Sequence, residues 1–161
     1  MKTVLKPGLQ TIRPYKINSL FRINPSTFIR VKRFIGSYPA ERGGMIGRDP
    51  DGVIRHFEPD LKGQCNSAAY DPDILHMNKI IKIWKSRGIE FCGFIHSHPH
   101  SVRRPSGYDK WYAGEILKCF KKLEFLWIPI MQTIPNSKRF ELLPYAAIPD
   151  KKNRSECEFV Y

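Results

Sequence analysis

The chain has 161 residues, of which 42% are hydrophobic and 12% aromatic, and its formal net charge is +12. This composition is typical of one globular domain and argues against a disordered chain. No apolar run reaches the roughly 18–20 residues that a membrane span needs. The four cysteines form no C-x-x-C pair, which argues against a zinc ribbon and against a secreted disulfide framework. We therefore expect free thiols in the cytoplasm and no membrane partner.

The N-terminal part of the chain is basic. Glu41 is the first acidic residue, and eight lysines and arginines precede it. Such a block attracts an acidic protein face or nucleic acid, or it is simply a solvated surface. No known nucleic-acid-binding signature accompanies it, so nucleic acid is only a secondary alternative. We expect residues 1–24 to be a basic segment that packs onto or precedes the domain, and residues 25–161 to form the domain.

Proline, glycine and hydrophobic spacing predict the elements in chain order. In the first half they predict a helix over 24–36, strands at 43–47 and 53–57, a polar loop over 59–70 and a helix over 71–88. In the second half they predict a buried strand over 89–96, a helix from Ser106, and strands within 125–131, 139–148 and 158–161. The third helix carries an apolar stripe of Tyr108, Trp111, Tyr112, Ile116 and Cys119. Pro129 marks an edge or a bulge in its strand. This order predicts a single α/β or α+β domain with helices around one curved mixed sheet.

Two histidines, separated by one residue, lie at the end of the predicted buried strand. His96 and His98 point to the same side, because side chains alternate along a strand. A nearby carboxylate would complete three protein ligands and leave a fourth position open, as in hydrolytic zinc sites. An H-x-H pair alone is as often structural as metal-binding. The same residue types can also hold iron for oxygenase chemistry, although Glu41 and Ser106 would then have no role.

Ser106 and Asp109 have the spacing of a helix capping box, in which serine is the N-cap and an acid lies three residues later. Taken alone, this pair favours capping. An aspartate in the first helical turn is also kept ionised by the helix dipole, which suits a metal ligand. The two interpretations are compatible.

The complete pattern is an upstream glutamate, then H-x-H, seven intervening residues and S-x-x-D. It resembles the JAMM motif of the MPN (JAB) metalloprotease family, and all five positions match. The flanking segments 41–47 and 93–99 are also similar to the family, and the resemblance spans about residues 25–150. The compact length is similar to that of prokaryotic JAB proteins. The resemblance implies an MPN/JAB-like curved mixed sheet flanked by helices.

The resemblance also implies roles for single residues. His96, His98 and Asp109 would bind one zinc ion per chain. Glu41 would act as general base, and Ser106 would donate a hydrogen bond to the oxyanion.

The implied activity is that of a zinc-dependent isopeptidase, cutting after the C-terminal tail of a ubiquitin-like protein or a conjugated protein. The implied partners are this substrate and the E1- and E2-like enzymes of a prokaryotic conjugation system. Arg103 and Arg104 lie where they could contact an acidic substrate. The alternative is a non-catalytic MPN-type scaffold, or a module that docks nucleic acid or an acidic partner through the basic N-terminal region.

Overall fold

The computed structural model describes residues 10–12, 20–36, 42–65, 70–133 and 139–161. Three helices and twelve strands lie in this part of the chain. The helices are α1 (Pro25–Ile35), α2 (Ile74–Ser86) and α3 (Gly107–Cys119). The strands are β1 (Gln10–Ile12), β2 (Phe21–Ile23), β3 (Gly43–Arg48), β4 (Ile54–Pro59), β5 (Gln64–Cys65), β6 (Tyr70–Asp71), β7 (Glu90–His98), β8 (Leu126–Trp127), β9 (Ile130–Thr133), β10 (Phe140–Leu143), β11 (Ala146–Pro149) and β12 (Cys157–Val160).

The strand β7 lies in the middle of a mixed sheet. The sheet order is β1-β2-β4-β3-β7-β8-β11-β12, and β9 pairs with both β7 and β10. β7 runs antiparallel to β3 and parallel to β8 and β9. All its residues after Glu90 are buried. A strand covered on both faces needs a nearly continuous apolar sequence, which explains why β7 could be recognised from its composition.

Two apolar clusters fill the space on the sheet. One contains Val31 and Ile35 of α1 together with Ile95 of β7. The other contains Trp84 of α2, Leu117 of α3 and their apolar neighbours from the sheet. The close approach of the third helix requires a glycine, because a Cβ on Gly114 would lie 1.9 Å from the carbonyl oxygen of Ser155. This glycine thereby lets α3 approach the turn that precedes β12.

The predicted mixed sheet with flanking helices is confirmed. The observed elements differ from the predicted ones in five details. The loop predicted over 59–70 contains the short pair β5 and β6. The segment 125–131 is two strands, because Pro129 cannot donate to a ladder, and 139–148 is also two strands, separated at Pro144-Tyr145. Helix α2 starts later than expected, with Asp73 as its cap. Within residues 1–24, β2 pairs in parallel with β4.

The predicted stripe of α3 is buried only in part, because Tyr112 and Ile116 are half-buried against the core whereas its other members are exposed. Ala113, Gly114 and Leu117 are buried, whereas Tyr108 and Trp111 are 44% and 57% exposed. Large aromatic residues at helical spacing suggest a core-facing stripe, but the fully buried positions of this closely packed helix carry small residues and one leucine. Tyr108 and Trp111 are left at the surface. No helix in the described part of the chain is long and apolar enough to cross a bilayer.

Candidate metal centre

The two histidines lie at the carboxyl end of β7. His96 and His98 are 3% and 5% exposed, and their Nε2 atoms are 3.0 Å apart. The period of two along the strand turns both rings to the same face of the sheet. The hydrogen-bonded neighbours hold this end in place, since Gly43 of β3 pairs with His96 and Gln132 of β9 pairs with His98.

Helix α3 brings a carboxylate to the two rings. Asp109 Oδ1 lies 3.2 Å from His96 Nε2, and Asp109 Oδ2 lies 3.2 Å from His98 Nε2. The helix begins directly after Ser106, whose hydroxyl oxygen accepts a hydrogen bond from the Asp109 backbone amide at 3.1 Å. In return, the Ser106 amide donates to Asp109 Oδ2 at 2.6 Å, which completes the predicted capping box.

The protonation state of Asp109 suits a ligand. Burial alone would raise the pKa of its carboxyl group. Hydrogen bonds from His96 and His98, with help from the Ser106 amide, outweigh burial and hold that pKa well below its ordinary value. Asp109 is therefore an anion at neutral pH.

The spacing of these three side chains fits one small metal ion. Their ligand atoms all lie within 4.8 Å of one another. Zinc bonds of about 2.0–2.1 Å at tetrahedral angles place neighbouring ligand atoms roughly 3.3 Å apart, close to the 3.0 Å and 3.2 Å distances observed. The buried Nδ1 atom of His96 has no hydrogen-bond partner among the described residues. A set of two imidazoles and one carboxylate that leaves room for a further ligand is the donor set of catalytic zinc sites.

The remaining predicted residues are placed differently. Glu41 lies outside the described residues. Its neighbour Arg42 is tied to β7 twice, because its amide donates to Ser97 Oγ at 2.9 Å and its carbonyl accepts from the Ser97 amide at 2.8 Å. Ser106 Oγ donates to Asp109 Oδ2 at 2.8 Å, so its hydroxyl hydrogen is engaged within the cap.

The two arginines of the loop after β7 have different surroundings. Arg103 forms a two-armed ion pair with Glu141, one arm of which measures 2.6 Å. Arg104 is exposed. Sequence analysis missed Gln132, which is fully buried beside His98 and contacts this loop. The available signal was a glutamine directly after the apolar run 125–131.

A small cavity lies beside the candidate metal-binding residues. His96 and Asp109 line it together with apolar side chains of α3, β7 and the loops. Tyr108 forms one wall, and its ring lies 5.6 Å from the exposed ring of Trp111. The exposed aromatic side chains of α3 therefore lie beside this cavity.

Comparison with known proteins supports this fold. The family of prokaryotic homologs of the JAB domain matches residues 34–142. The solution structure of protein DSY2949 from Desulfitobacterium hafniense is similar with a TM-score of 0.56 and 18% identity, over 85% of this chain and 87% of that chain. At this identity the likeness concerns the fold alone. No curated protein matched the chain.

Proposed function

The chain belongs to the family of prokaryotic homologs of the JAB domain, and from this premise we propose that it is a zinc-dependent isopeptidase or peptidase. The observation that carries the proposal is the cluster of His96, His98 and Asp109. These residues are buried or half-buried, and their ligand atoms all lie within 4.8 Å of one another. A purely structural role would not need three ligand atoms facing one point. In a purely structural role, the ionised Asp109 carboxylate would serve only as part of the helix cap.

Each residue of the motif has a task in peptide hydrolysis. His96, His98 and Asp109 would hold the zinc ion, which when bound would supply a Lewis acid and lower the pKa of water towards about 7. Glu41 accepts the proton of the attacking water and delivers it to the leaving amine, as a general base and then a general acid. Ser106 Oγ donates to the oxyanion, which requires its hydroxyl hydrogen to turn away from Asp109.

The placement of Arg42 supports the role of Glu41. Both backbone groups of Arg42 are hydrogen-bonded to Ser97, which lies between the two histidines of β7. Arg42 therefore lies beside the strand that carries both histidines.

We propose that the substrate is the extended C-terminal tail of a ubiquitin-like protein, joined to another protein by an amide bond. An extended tail can bind beside the site, because its backbone can pair with neighbouring backbone groups. The exposed rings of Tyr108 and Trp111 offer it apolar contacts, and Arg104 offers a positive charge for an acidic substrate. Arg103 is already engaged by Glu141, so Arg104 is the better of the two for this contact. E1- and E2-like enzymes of a conjugation system in the cytoplasm would supply such conjugates.

The test combines metal content with cleavage of a defined probe. Purified protein is loaded with zinc, desalted and weighed by native mass spectrometry. It is then incubated with a panel of ubiquitin-like proteins fused through their C-termini to a reporter. We expect one zinc per chain and cleavage that a chelator abolishes. Glu41→Gln should keep the zinc and lose turnover, because an amide cannot accept the proton.

Each contrary outcome has a meaning. A folded parent protein that takes up no zinc would contradict the metal site. Normal turnover by Glu41→Gln would contradict its role as general base. Zinc binding without cleavage of any fusion would contradict the substrate class and favour a metal-containing scaffold.

A further inference from the structure

The loop over 99–105 connects the two elements that carry the proposed metal ligands. It joins His98, the last ligand on β7, to Ser106, the cap of the helix that carries Asp109. If this loop moves, the carboxylate moves relative to the two histidines. The inference below rests on the proposed function in that it takes these three residues to be metal ligands.

A row of three side chains crosses the sheet at this loop. Gln132 of β9 is the register partner of His98 on one side and of Glu141 on the other. Directly paired residues of neighbouring strands project to the same face of a sheet. The row therefore extends from a metal ligand to the edge strand β10 on the face where the loop lies.

Gln132 binds the loop with every group of its amide. Its Nε2 donates to the carbonyl oxygens of Pro99, at 3.3 Å, and of Val102. Its Oε1 accepts from Arg103 Nη1 at 3.3 Å. The orientation of the amide is fixed by these partners, because carbonyl oxygens only accept and a guanidinium only donates. Gln132 is 0% exposed, so each lost partner would leave a buried polar atom without compensation.

Two outer contacts reinforce the same loop. The guanidinium of Arg103 is held by both carboxylate oxygens of Glu141 at the end of the row. The hydroxyl of Tyr145 donates to the Arg103 carbonyl at 3.1 Å. Within the loop, the Val102 amide donates to the Pro99 carbonyl at 2.8 Å and closes a turn. Gln132 thus binds both ends of a closed turn.

We propose that Gln132 is a positioning residue of the metal centre. By holding the turn Pro99–Val102 against β9, it fixes the start of α3 and so the distance of Asp109 from His96 and His98. It touches neither zinc nor substrate, and it acts through the loop.

The test removes the hydrogen bonds while keeping the volume of the side chain. Gln132→Met loses all three contacts and remains suited to a buried site, and Gln132→Glu keeps the shape but loses the donor. The control is Met131→Ala, because Met131 is equally buried on the same strand and projects to the opposite face. Glu141→Gln is a milder variant at a half-buried position that weakens only the outer ion pair.

Three measurements are made on each protein. Zinc affinity is measured by competition with a chromophoric chelator, and ligand geometry by the visible absorption of bound Co²⁺. Hydrogen exchange of the amides in 100–109 is measured on metal-free protein. For Gln132→Met we expect zinc affinity to fall about tenfold, at the low end of what indirect partners of metal ligands contribute, with an altered Co²⁺ spectrum and faster exchange in the loop.

The control decides between positioning and general stability. Met131→Ala should unfold at lower denaturant concentration, yet keep the parental zinc affinity and Co²⁺ spectrum. Parental values in Gln132→Met, or an equal loss in Met131→Ala, would overturn the inference. If the parent protein itself bound neither ion, the proposed function would fail. The inference about a metal centre would fail with it, whereas the exchange data would separately decide whether Gln132 orders the loop, because unchanged loop exchange in Gln132→Met refutes that role and accelerated exchange supports it.

Discussion

Replacing Asp109 by asparagine separates the two roles that its carboxylate can have. As a cap, the side chain accepts a hydrogen bond from the Ser106 amide at 2.6 Å. As a ligand, it supplies a negative oxygen to an ion between His96 and His98. The asparagine side chain would still carry an oxygen that accepts from the Ser106 amide. It would lack the negative charge that attracts a divalent cation.

The expected magnitudes differ enough to be told apart. Loss of one favourable charge at a helix N-terminus costs about 0.3–1 kcal/mol. In a chain of this size 1 kcal/mol corresponds to about 2–4 °C in Tm, so loss of the charge at the helix terminus should lower the Tm of metal-free Asp109→Asn by about 1–4 °C, and loss of the hydrogen bonds from His96 and His98 to the carboxylate should lower it further. Zinc at about 100 times its Kd stabilises the parent by about 2.7 kcal/mol, which corresponds to about 5–11 °C. A variant whose affinity is weakened about 100-fold keeps about 0.4 kcal/mol of this effect, or roughly 1 °C.

The assay is thermal unfolding of both proteins with a chelator and with buffered zinc. The matched control is Ser106→Ala, which removes the hydroxyl that accepts from the Asp109 amide. Loss of this cap should cost about 0.5–2 kcal/mol without zinc, while the zinc-dependent rise in Tm should persist. An equal zinc-dependent rise in Asp109→Asn and in the parent would refute the assignment of Asp109 as a ligand.

Further predictions concern the packing of α3, the cysteines and acid stability. Gly114→Ala should lower the free energy of unfolding by about 1–3 kcal/mol in a urea titration, since its Cβ would meet backbone, whereas Gly107→Ala, with open space around it, should change it by less than about 0.5 kcal/mol. An alkylating reagent at pH 8 should label exposed Cys119 in the folded protein and spare buried Cys92, whose thiol pKa burial raises to about 12; equal labelling rates by mass spectrometry would contradict this. Hydrogen bonds from the Arg55 side chain and a backbone amide lower the pKa of Asp51 to about 2. As the pH falls below about 4, the Asp51 carboxylate is therefore protonated in the unfolded chain before it is protonated in the folded protein, and the free energy of unfolding decreases. Asp51→Asn should reduce that decrease between about pH 4 and pH 2 in acid titrations followed by circular dichroism.

The core of the site could be predicted because its signals are local. The period of two placed His96 and His98 on one face of a strand, and the continuous apolar run made that strand buried. The cap was visible in the spacing of Ser106 and Asp109. Proline at its start and glycine at its end predicted the bounds of α1 to within one residue.

The parts that sequence analysis missed depend on contacts between distant residues. Gln132 lies 33 residues after Pro99, and only the pairing of β9 with β7 brings them together. The exposure of Tyr108 and Trp111 follows from the close approach of Gly114 to Ser155, in the turn before β12. Helical periodicity does not encode this contact. Periodicity states which residues share a face, and the packing partners decide which face is buried.

The structure also resolves the apparent competition between capping and metal binding at Asp109. Among the described residues, Oδ2 is shared between Ser106 and His98, whereas Oδ1 faces His96. The cap therefore fixes the carboxylate through one oxygen and leaves the other directed at the site. A ligand held in this way loses little rotamer freedom when an ion binds, because the helix has already ordered it. The S-x-x-D spacing is therefore compatible with the cap and with the proposed metal site together, which explains why sequence alone could not assign it to one of them.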